Sequence, residues 1–191
     1  MTFWHIPLIH DNYIFRLSRF SGALYSMPLF NRVVDTPSFG EGVAKINRAS
    51  DFCNDPYKFN PVKRRNLKMS KPIGCKGHGR AMDIANRVVK NCKHQFFLAT
   101  ISASFRKPLF DSSEDAIAFF RVNVDGDQSS LCLPRALYAA KTSRKFKEEG
   151  VVFIGVFLPS RSMHAWVVEG DALADPDDDI WINYRPIAAI A

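Results

Sequence analysis

The sequence predicts an α+β protein, with strands first, helices next and an antiparallel sheet at the end. Residues 13–18 alternate between the two faces of a strand, so that aromatic and aliphatic side chains share one face. Residues 80–92 place apolar side chains at helical spacing, and residues 151–158 form a β-rich run. Because the two element types come in blocks along the chain, they favour an α+β fold over alternating βαβ units.

The N-terminal part predicts a small winged-helix-like unit. Strands are expected at residues 3–9, 13–18 and 23–27, with turn residues between them. Short helices are expected at residues 29–34 and 42–46, each after turn residues. Three strands followed by short helices fit the outline of a winged-helix-like element.

A proline-bounded basic stretch follows this unit. Between Pro56 and Pro72 the chain carries Lys58, Lys63, Arg64, Arg65, Lys68 and Lys71. Runs of charge are usually solvated connectors, and a docking surface for an acidic peptide or a nucleotide is the alternative. We therefore place a domain boundary near residue 75, between units of residues 1–75 and 76–191.

The second unit begins with helices. Residues 80–92 and 115–122 are the first two candidates. The third candidate begins near Cys132 and is basic over residues 141–147, as a helix C-terminus favours. Gly150 then ends it.

Three strands follow the helices. They are predicted at residues 151–158, 163–168 and 172–175, and Gly170-Asp171 between the last two is typical of a tight hairpin turn. The unit therefore closes with an antiparallel sheet.

The hairpin register decides which side chains meet. With a two-residue turn at residues 170–171, Trp166 lies opposite Asp175, and His164 lies opposite Asp177. Side chains two residues apart share a face of a strand, so the histidine and both aspartates would face the same side. A turn of different length would move both aspartates to the other face. Asp175 and Asp177 therefore remain alternatives.

Composition predicts a globular protein of a reducing compartment. Hydrophobic residues make up 47% of the chain and charged residues 24%. Four cysteines in 191 residues are too few for a disulfide scaffold. The longest apolar runs fall far short of the roughly 20 residues of a membrane helix, and the N-terminus lacks the pattern of a signal peptide. We expect a cytoplasmic protein without a membrane partner, whose net charge of +7 suits an acidic partner.

Residues 129–140, Ser-Ser-Leu-Cys-Leu-Pro-Arg-Ala-Leu-Tyr-Ala-Ala, place a thiol where a polar loop becomes a helix. The free N–H groups and dipole of a first helical turn favour the thiolate of Cys132. A nucleophilic thiol needs a base and a carboxylate that orients the base, and His164 and Asp175 follow in that order. Taken singly, each residue is usually structural; together they predict a Cys132–His164–Asp175 triad.

The residues around this triad resemble a known family. Cys132-Leu-Pro-Arg-Ala-Leu-Tyr-Ala, Val152-Phe-Ile-Gly-Val and His164-Ala-Trp-Val-Val-Glu, followed by Asp175, look like lasso-peptide maturation proteases, the B proteins of the microcin type. The likeness covers about residues 115–191. The N-terminal third resembles the family loosely, since residues 12–28 fit the outline of its leader-recognition element.

The resemblance implies a transglutaminase/papain-like cysteine protease domain behind a winged-helix-like leader-recognition element. Such a protein binds the leader of a ribosomally made precursor peptide and cuts after it. The freed core passes to a partner, an ATP-dependent lasso cyclase that closes the macrolactam. Cleavage itself depends on ATP in some members; the sequence shows no phosphate-binding loop, and we expect no cofactor held in this chain.

Further site residues follow from this expectation. The backbone N–H of Cys132 is a candidate oxyanion donor, and Gln128 is a weaker second candidate that as a loop residue more often faces water. The leader would add a strand to the N-terminal sheet. Candidates for its pockets, whose simpler role is core packing, are Tyr13, Phe15, Leu24 and Tyr25.

Two other function classes compete. Arylamine acetyltransferases and transglutaminases use the same order of thiol, imidazole and carboxylate for acyl transfer, although this chain is short for either. A basic winged-helix nucleic-acid-binding module would use the net charge. We expect no nucleic acid, because residues 29–50 show no recognition helix rich in Arg and Asn.

A zinc site is the remaining alternative for two of the cysteines. Cys75 and His78 have a spacing that zinc accepts, whereas Cys92 and His94 are separated by a single residue, which is outside the usual pattern. We therefore expect no metal.

Overall fold

The computed structural model shows a mixed α+β architecture with two antiparallel sheets and five helices in its described part. The described residues are 3–6, 8–10, 13–18, 23–28, 41–54, 70–74, 77–93, 107–128, 130–175 and 180–191. The prediction of an α+β fold is confirmed at this level.

The larger sheet has five strands in the order β1-β8-β5-β6-β7. All four neighbouring pairs are antiparallel. Its strands are β1 (Phe3–His5), β5 (Gly150–Phe157), β6 (Ser162–Glu169), β7 (Ala172–Leu173) and β8 (Arg185–Ile190). The first and last segments of the chain therefore pair side by side, and β6 lies next to the short edge strand β7.

The smaller sheet is an antiparallel meander of β2 (Leu8–His10), β3 (Tyr13–Leu17) and β4 (Leu24–Pro28). The strands predicted at residues 13–18 and 23–27 are confirmed. The single strand predicted at residues 3–9 is wrong, because β1 and β2 belong to different sheets. The sequence places Pro7, which has no N–H to donate to a ladder, between them.

The helices are α1 (Glu41–Asn54), α2 (Gly77–Lys93), α3 (Ser113–Asn123), α4 (Cys132–Thr142) and α5 (Arg144–Glu149). The helix predicted at residues 42–46 is the first part of α1, whereas the helix at residues 29–34 and most of the basic stretch lie outside the described residues. Among the described helices, none combines the length and apolarity that crossing a membrane requires. A short 3₁₀ helix, Ile180–Asn183, precedes β8.

The one long helix predicted from Cys132 to residue 147 is two helices. The backbone of Ser143 is extended, with φ −83° and ψ 138°, and this residue ends α4 and caps α5. Its hydroxyl accepts a hydrogen bond from the backbone N–H of Phe146 at 3.1 Å. A serine competes for backbone donors in this way, which explains a break that apolar periodicity did not indicate.

The five-stranded sheet carries apolar side chains on both faces. Toward α4 it presents Val152, Ile154 and Val167, which join the larger core with α2 and α3. The opposite face carries Phe153 and Trp166, which pack with other buried residues in a second cluster. The sheet therefore has a packed layer on each side, and α4 is buried along its length.

The segments on either side of residue 75 share these cores. Phe15 and Leu17 of β3 belong to the larger core, and Ala49 of α1 belongs to the second cluster. β1 pairs with β8. The division into residues 1–75 and 76–191 stays a prediction about recognition and catalysis; in the described residues both segments contribute to the same hydrophobic clusters.

The last residue of β6 ties the helices to the sheet. The buried Glu169 side chain accepts hydrogen bonds from the backbone N–H of Ser113 at 2.9 Å and from the Ser143 hydroxyl at 3.2 Å. A carboxylate at the first residue of α3 complements the N-terminal dipole of that helix. Through Glu169, the starts of α3 and α5 are fixed relative to β6.

Gly155→Ala is expected to destabilise the fold by about 1–3 kcal/mol. A Cβ at this position would lie 2.7 Å from Cη2 of Trp166 and 3.0 Å from the carbonyl oxygen of Arg185. Gly79→Ala on α2 is the control, because its Cβ would meet nothing within 4 Å. Urea unfolding measures both; an equal effect of the two substitutions would contradict the close packing at Gly155.

Candidate active site

Cys132 is the first residue of α4, at the joint between loop and helix that the sequence predicted. Leu131 precedes it and gives the helix no side-chain cap, so the first N–H groups of α4 have no intrahelical or capping side-chain partner. Pro134 in the first turn costs no intrahelical hydrogen bond there. The Cys132 residue is 8% exposed. The thiol therefore lies inside the protein, at the positive end of a helix dipole.

His164 is the third residue of β6 and lies opposite Gly155 of β5. Its ring is nearly parallel to the Trp166 ring, with centroids 6.1 Å apart and an interplanar angle of 16°. The Tyr184 ring lies 5.2 Å away. Because Gly155 has no side chain, Trp166 occupies the space above it and supports the histidine. The imidazole, 5% exposed, is thus held by aromatic packing.

Cys132 and His164 meet at an edge of the sheet. β7 pairs with β6 only at Val168 and Glu169, and its extension donates one more bond, from the Ala174 N–H to the Val167 carbonyl at 2.9 Å. In an antiparallel strand, alternate residues turn their backbone groups to the same side. Ala165 therefore faces the same edge beyond the end of β7, where its backbone hydrogen-bonds the Cys132 sulfur.

The site favours the thiolate of Cys132. Burial raises its pKa, and the other influences outweigh burial: a hydrogen bond and positive charge from His164, the backbone hydrogen bond from Ala165, and the charge of Arg135. The net effect is a Cys132 pKa below that of an ordinary thiol. A buried thiolate held beside an imidazole is the arrangement a nucleophilic cysteine needs.

Asp175 follows the predicted hairpin and comes to the same region. Glu169 pairs with Ala172, as a two-residue turn requires. Asp175 is 3% exposed, and its Oδ2 accepts from Arg121 Nη2 at 2.9 Å and from Arg135 Nε at 3.1 Å. Asp177 lies outside the described residues, so the choice between the two aspartates stays a prediction.

Gln128 lies in the loop before α4 and has other polar contacts. Its Nε2 donates to the carbonyl of Val124 at 3.4 Å, and its Oε1 accepts from Arg135 Nη1 at 3.4 Å. These contacts tie the loop to α3 and α4. The oxyanion role of Gln128 stays a prediction, and the Cys132 N–H at the start of α4 is the better placed donor.

The four candidate leader-binding residues divide into two pairs. Phe15 is 7% exposed and belongs to the larger core, and the partly buried Leu24 packs against that core. Tyr13 is 44% exposed and Tyr25 is 40% exposed. The two tyrosines are therefore the most accessible residues of this set, and leader binding by any of the four stays a prediction.

Sequence reasoning missed Arg135 and Ala165. A signal for Arg135 was present, since it follows Cys132 by three residues and is charged in an otherwise apolar stretch of helix. Residues three apart lie on one helical face, so the guanidinium shares the side of the thiol. The contribution of Ala165 comes from its backbone, which carries no sequence signal.

A second thiol, Cys92, interacts electrostatically with Cys132 and with the amine of Lys141. Burial, together with the charge of Cys132, raises the pKa of Cys92 on α2 to about 12. Burial lowers the pKa of Lys141 on α4 to about 8, although the nearby Cys92 thiol partly opposes this. Two cysteines with opposite pKa shifts provide an internal comparison for any thiol chemistry.

No set of three or more metal-binding side chains (His, Cys, Asp or Glu) occurs in the described part of the chain. Cys75 and His94, which the zinc alternative needs, lie outside that part. Comparison with protein families, with curated proteins and with solved structures found no match to this chain. The geometry of the thiol and the imidazole is therefore the basis for proposing a function.

Cys132 is expected to react with iodoacetamide at a lower pH than an ordinary thiol, whereas Cys92 stays protected in the same range. In His164→Ala the partner that lowers the Cys132 pKa is lost while burial remains, so the pH midpoint of the reaction should rise. Mass spectrometry of the alkylated peptides across pH measures both thiols in one sample. Unfolded protein in urea is the control, in which the two thiols should react alike; a Cys132 midpoint that His164→Ala leaves unchanged would contradict the pairing.

Proposed function

We propose that this protein is a cysteine peptidase that removes the leader from a ribosomally made lasso-peptide precursor and frees the core for macrolactam closure. The observation that carries the proposal is the contact of Cys132, at the first turn of α4, with His164 on β6, where the thiolate is favoured. The substrate class comes from the resemblance of the residues around Cys132 and His164 to the B proteins of lasso-peptide maturation.

The reaction follows from the roles of the two residues. The Cys132 sulfur attacks the carbonyl carbon of the scissile peptide, and His164 passes the thiol proton to the leaving amine. The C–N bond breaks, the core leaves with a free N-terminus, and the leader remains as a thioester. Water then attacks the thioester, His164 takes its proton, and the leader departs as a carboxylic acid while the thiol is restored.

The oxyanion formed in both steps needs donors at the start of α4. The backbone N–H of Cys132 has no intrahelical partner at this position and lies beside the reacting sulfur. The helix dipole adds further stabilisation of negative charge. The site thus has a nucleophile, a base and an oxyanion donor on rigid elements.

The fold we propose for the described architecture is a transglutaminase/papain-like catalytic domain behind a winged-helix-like leader-recognition element. β4 is an edge strand of the three-stranded sheet, and its Tyr25 and Met27 side chains, on one face, are 40% and 41% exposed. An edge strand with exposed apolar side chains suits an added peptide strand. An ATP-dependent lasso cyclase is the proposed partner, in the cytoplasm, with ATP dependence of cleavage as part of the proposal.

Cys132→Ala is expected to abolish cleavage of lasso-precursor peptides, because no other described residue replaces the nucleophile. Precursors are incubated with the protein, with and without a lasso cyclase and ATP, and the masses of the products are measured by mass spectrometry. Cys92→Ala is the matched control and should retain cleavage. Transfer of the acyl group to an added amine in preference to water would instead favour the acyltransferase alternative.

Asp175→Asn is expected to lower the cleavage rate by about three to four orders of magnitude, as loss of an orienting carboxylate does. Asp177→Asn should leave the rate within a few-fold of the wild type. Single-turnover rates with excess protein separate the chemical step from product release. The opposite order of the two effects would assign the orienting role to Asp177.

A further inference from the structure

A buried cluster of charge lies between the nucleophile's helix and the end of the hairpin. It consists of Arg121 on α3, Asp175 after β7 and Arg135 on α4, and both guanidinium groups bind the same carboxylate oxygen, at 2.9 and 3.1 Å. The Arg135 side chain is 6% exposed and the Asp175 side chain 4% exposed. Buried charges need close partners of opposite charge, so the pairing restricts where the Arg135 and Asp175 side chains can lie.

Arg135 makes a second set of contacts, to the loop that precedes α4. Its Nη1 donates to the backbone carbonyl of Gln128 at 3.2 Å and to the side-chain Oε1 of the same residue at 3.4 Å. The planar Arg135 guanidinium therefore connects Gln128, in the loop before α4, with Asp175, which follows β7 in the sequence. A guanidinium can bridge in two directions because its donors are spread around a rigid plane.

We propose that Arg135 is a positioning residue for the nucleophile, joining the Gln128 loop to Asp175 and so holding the Cys132 sulfur at the edge of β6 against His164. Cys132 lies one turn before Arg135 on the same helix. The loop held by Arg135 enters α4 directly before the thiol. This inference deepens the proposed function and rests on Cys132 being its nucleophile.

The surroundings of the thiol separate the two arginines. His164 faces Cys132 from β6, Cys92 neighbours it from α2, and Arg135 acts on it from the same helix. Asp175 acts on the Cys132 thiol through Arg135, and Lys141 interacts electrostatically with Cys92. Arg121 binds Asp175 from α3, whereas the charge of Arg135 itself lowers the pKa of Cys132. Removing either arginine costs Asp175 one partner, and removing Arg135 also takes away a charge that acts on the thiol.

The test compares Arg135→Gln with the matched control Arg121→Gln by iodoacetamide alkylation of Cys132 across pH. Arg135→Gln should raise the pH midpoint by about one unit, which corresponds to a tenfold lower ratio of thiolate to thiol at a given pH. Arg121→Gln should leave the midpoint within a few tenths of a unit of the wild type. Circular dichroism reports whether each variant is folded. Equal shifts in both variants, or no shift in Arg135→Gln, would overturn the proposal.

Arg135→Lys keeps the test decisive if Arg135→Gln does not fold. A lysine retains the positive charge but cannot bind Asp175 and Gln128 through one rigid plane. The expected result is a partial rise of the midpoint with a slower alkylation rate, and wild-type values for both would overturn the positioning role. No substrate is used, so the two ideas fail separately: a wild-type Cys132 that titrates as an ordinary thiol overturns the proposed function instead.

Discussion

The candidate site depends on one hydrogen bond, between the Cys132 thiol and the His164 imidazole, which opposes the cost of burial. Burial alone would raise the pKa of this thiol, as it raises that of Cys92 to about 12. The imidazole, the Ala165 backbone and the Arg135 charge outweigh burial at Cys132, and its pKa is lowered. Two cysteines in one hydrophobic cluster thus differ because one of them lies at the start of a helix beside a histidine.

The rest of the fold brings these groups together and keeps water out. α4 is buried along its length, so the nucleophile's position is fixed by packing against the sheet as well as by its own loop. β7 pairs with so little of β6 that the edge at Ala165 is open to the thiol. On the other face, Gly155 makes room for Trp166, which supports the imidazole. Two local features of the sheet, the short β7 and the glycine at position 155, therefore determine the geometry of the site.

Much of this arrangement could be predicted from the sequence, and the misses have physical causes. Apolar periodicity and turn residues indicated α2, the start of α4, and the β6–β7 hairpin with its register. The periodicity did not show the break at Ser143, because a hydroxyl cap ends a helix without changing the apolar pattern. The pairing of β1 with β8 is a contact between the chain's ends, which local patterns do not encode. The roles of Arg135 and Ala165 depend on which elements become neighbours in the folded protein.

The central claim is that His164 holds the pKa of the buried Cys132 thiol below that of an ordinary thiol, and titration of the ultraviolet absorbance of thiolates tests it most directly. On acidification, the wild-type protein should lose about one equivalent of thiolate absorbance at a pH below the ordinary thiol pKa of about 8.5. Cys132→Ser should show no such change, and Cys92→Ser should titrate like the wild type. A wild-type titration that coincides with that of Cys132→Ser would contradict the account.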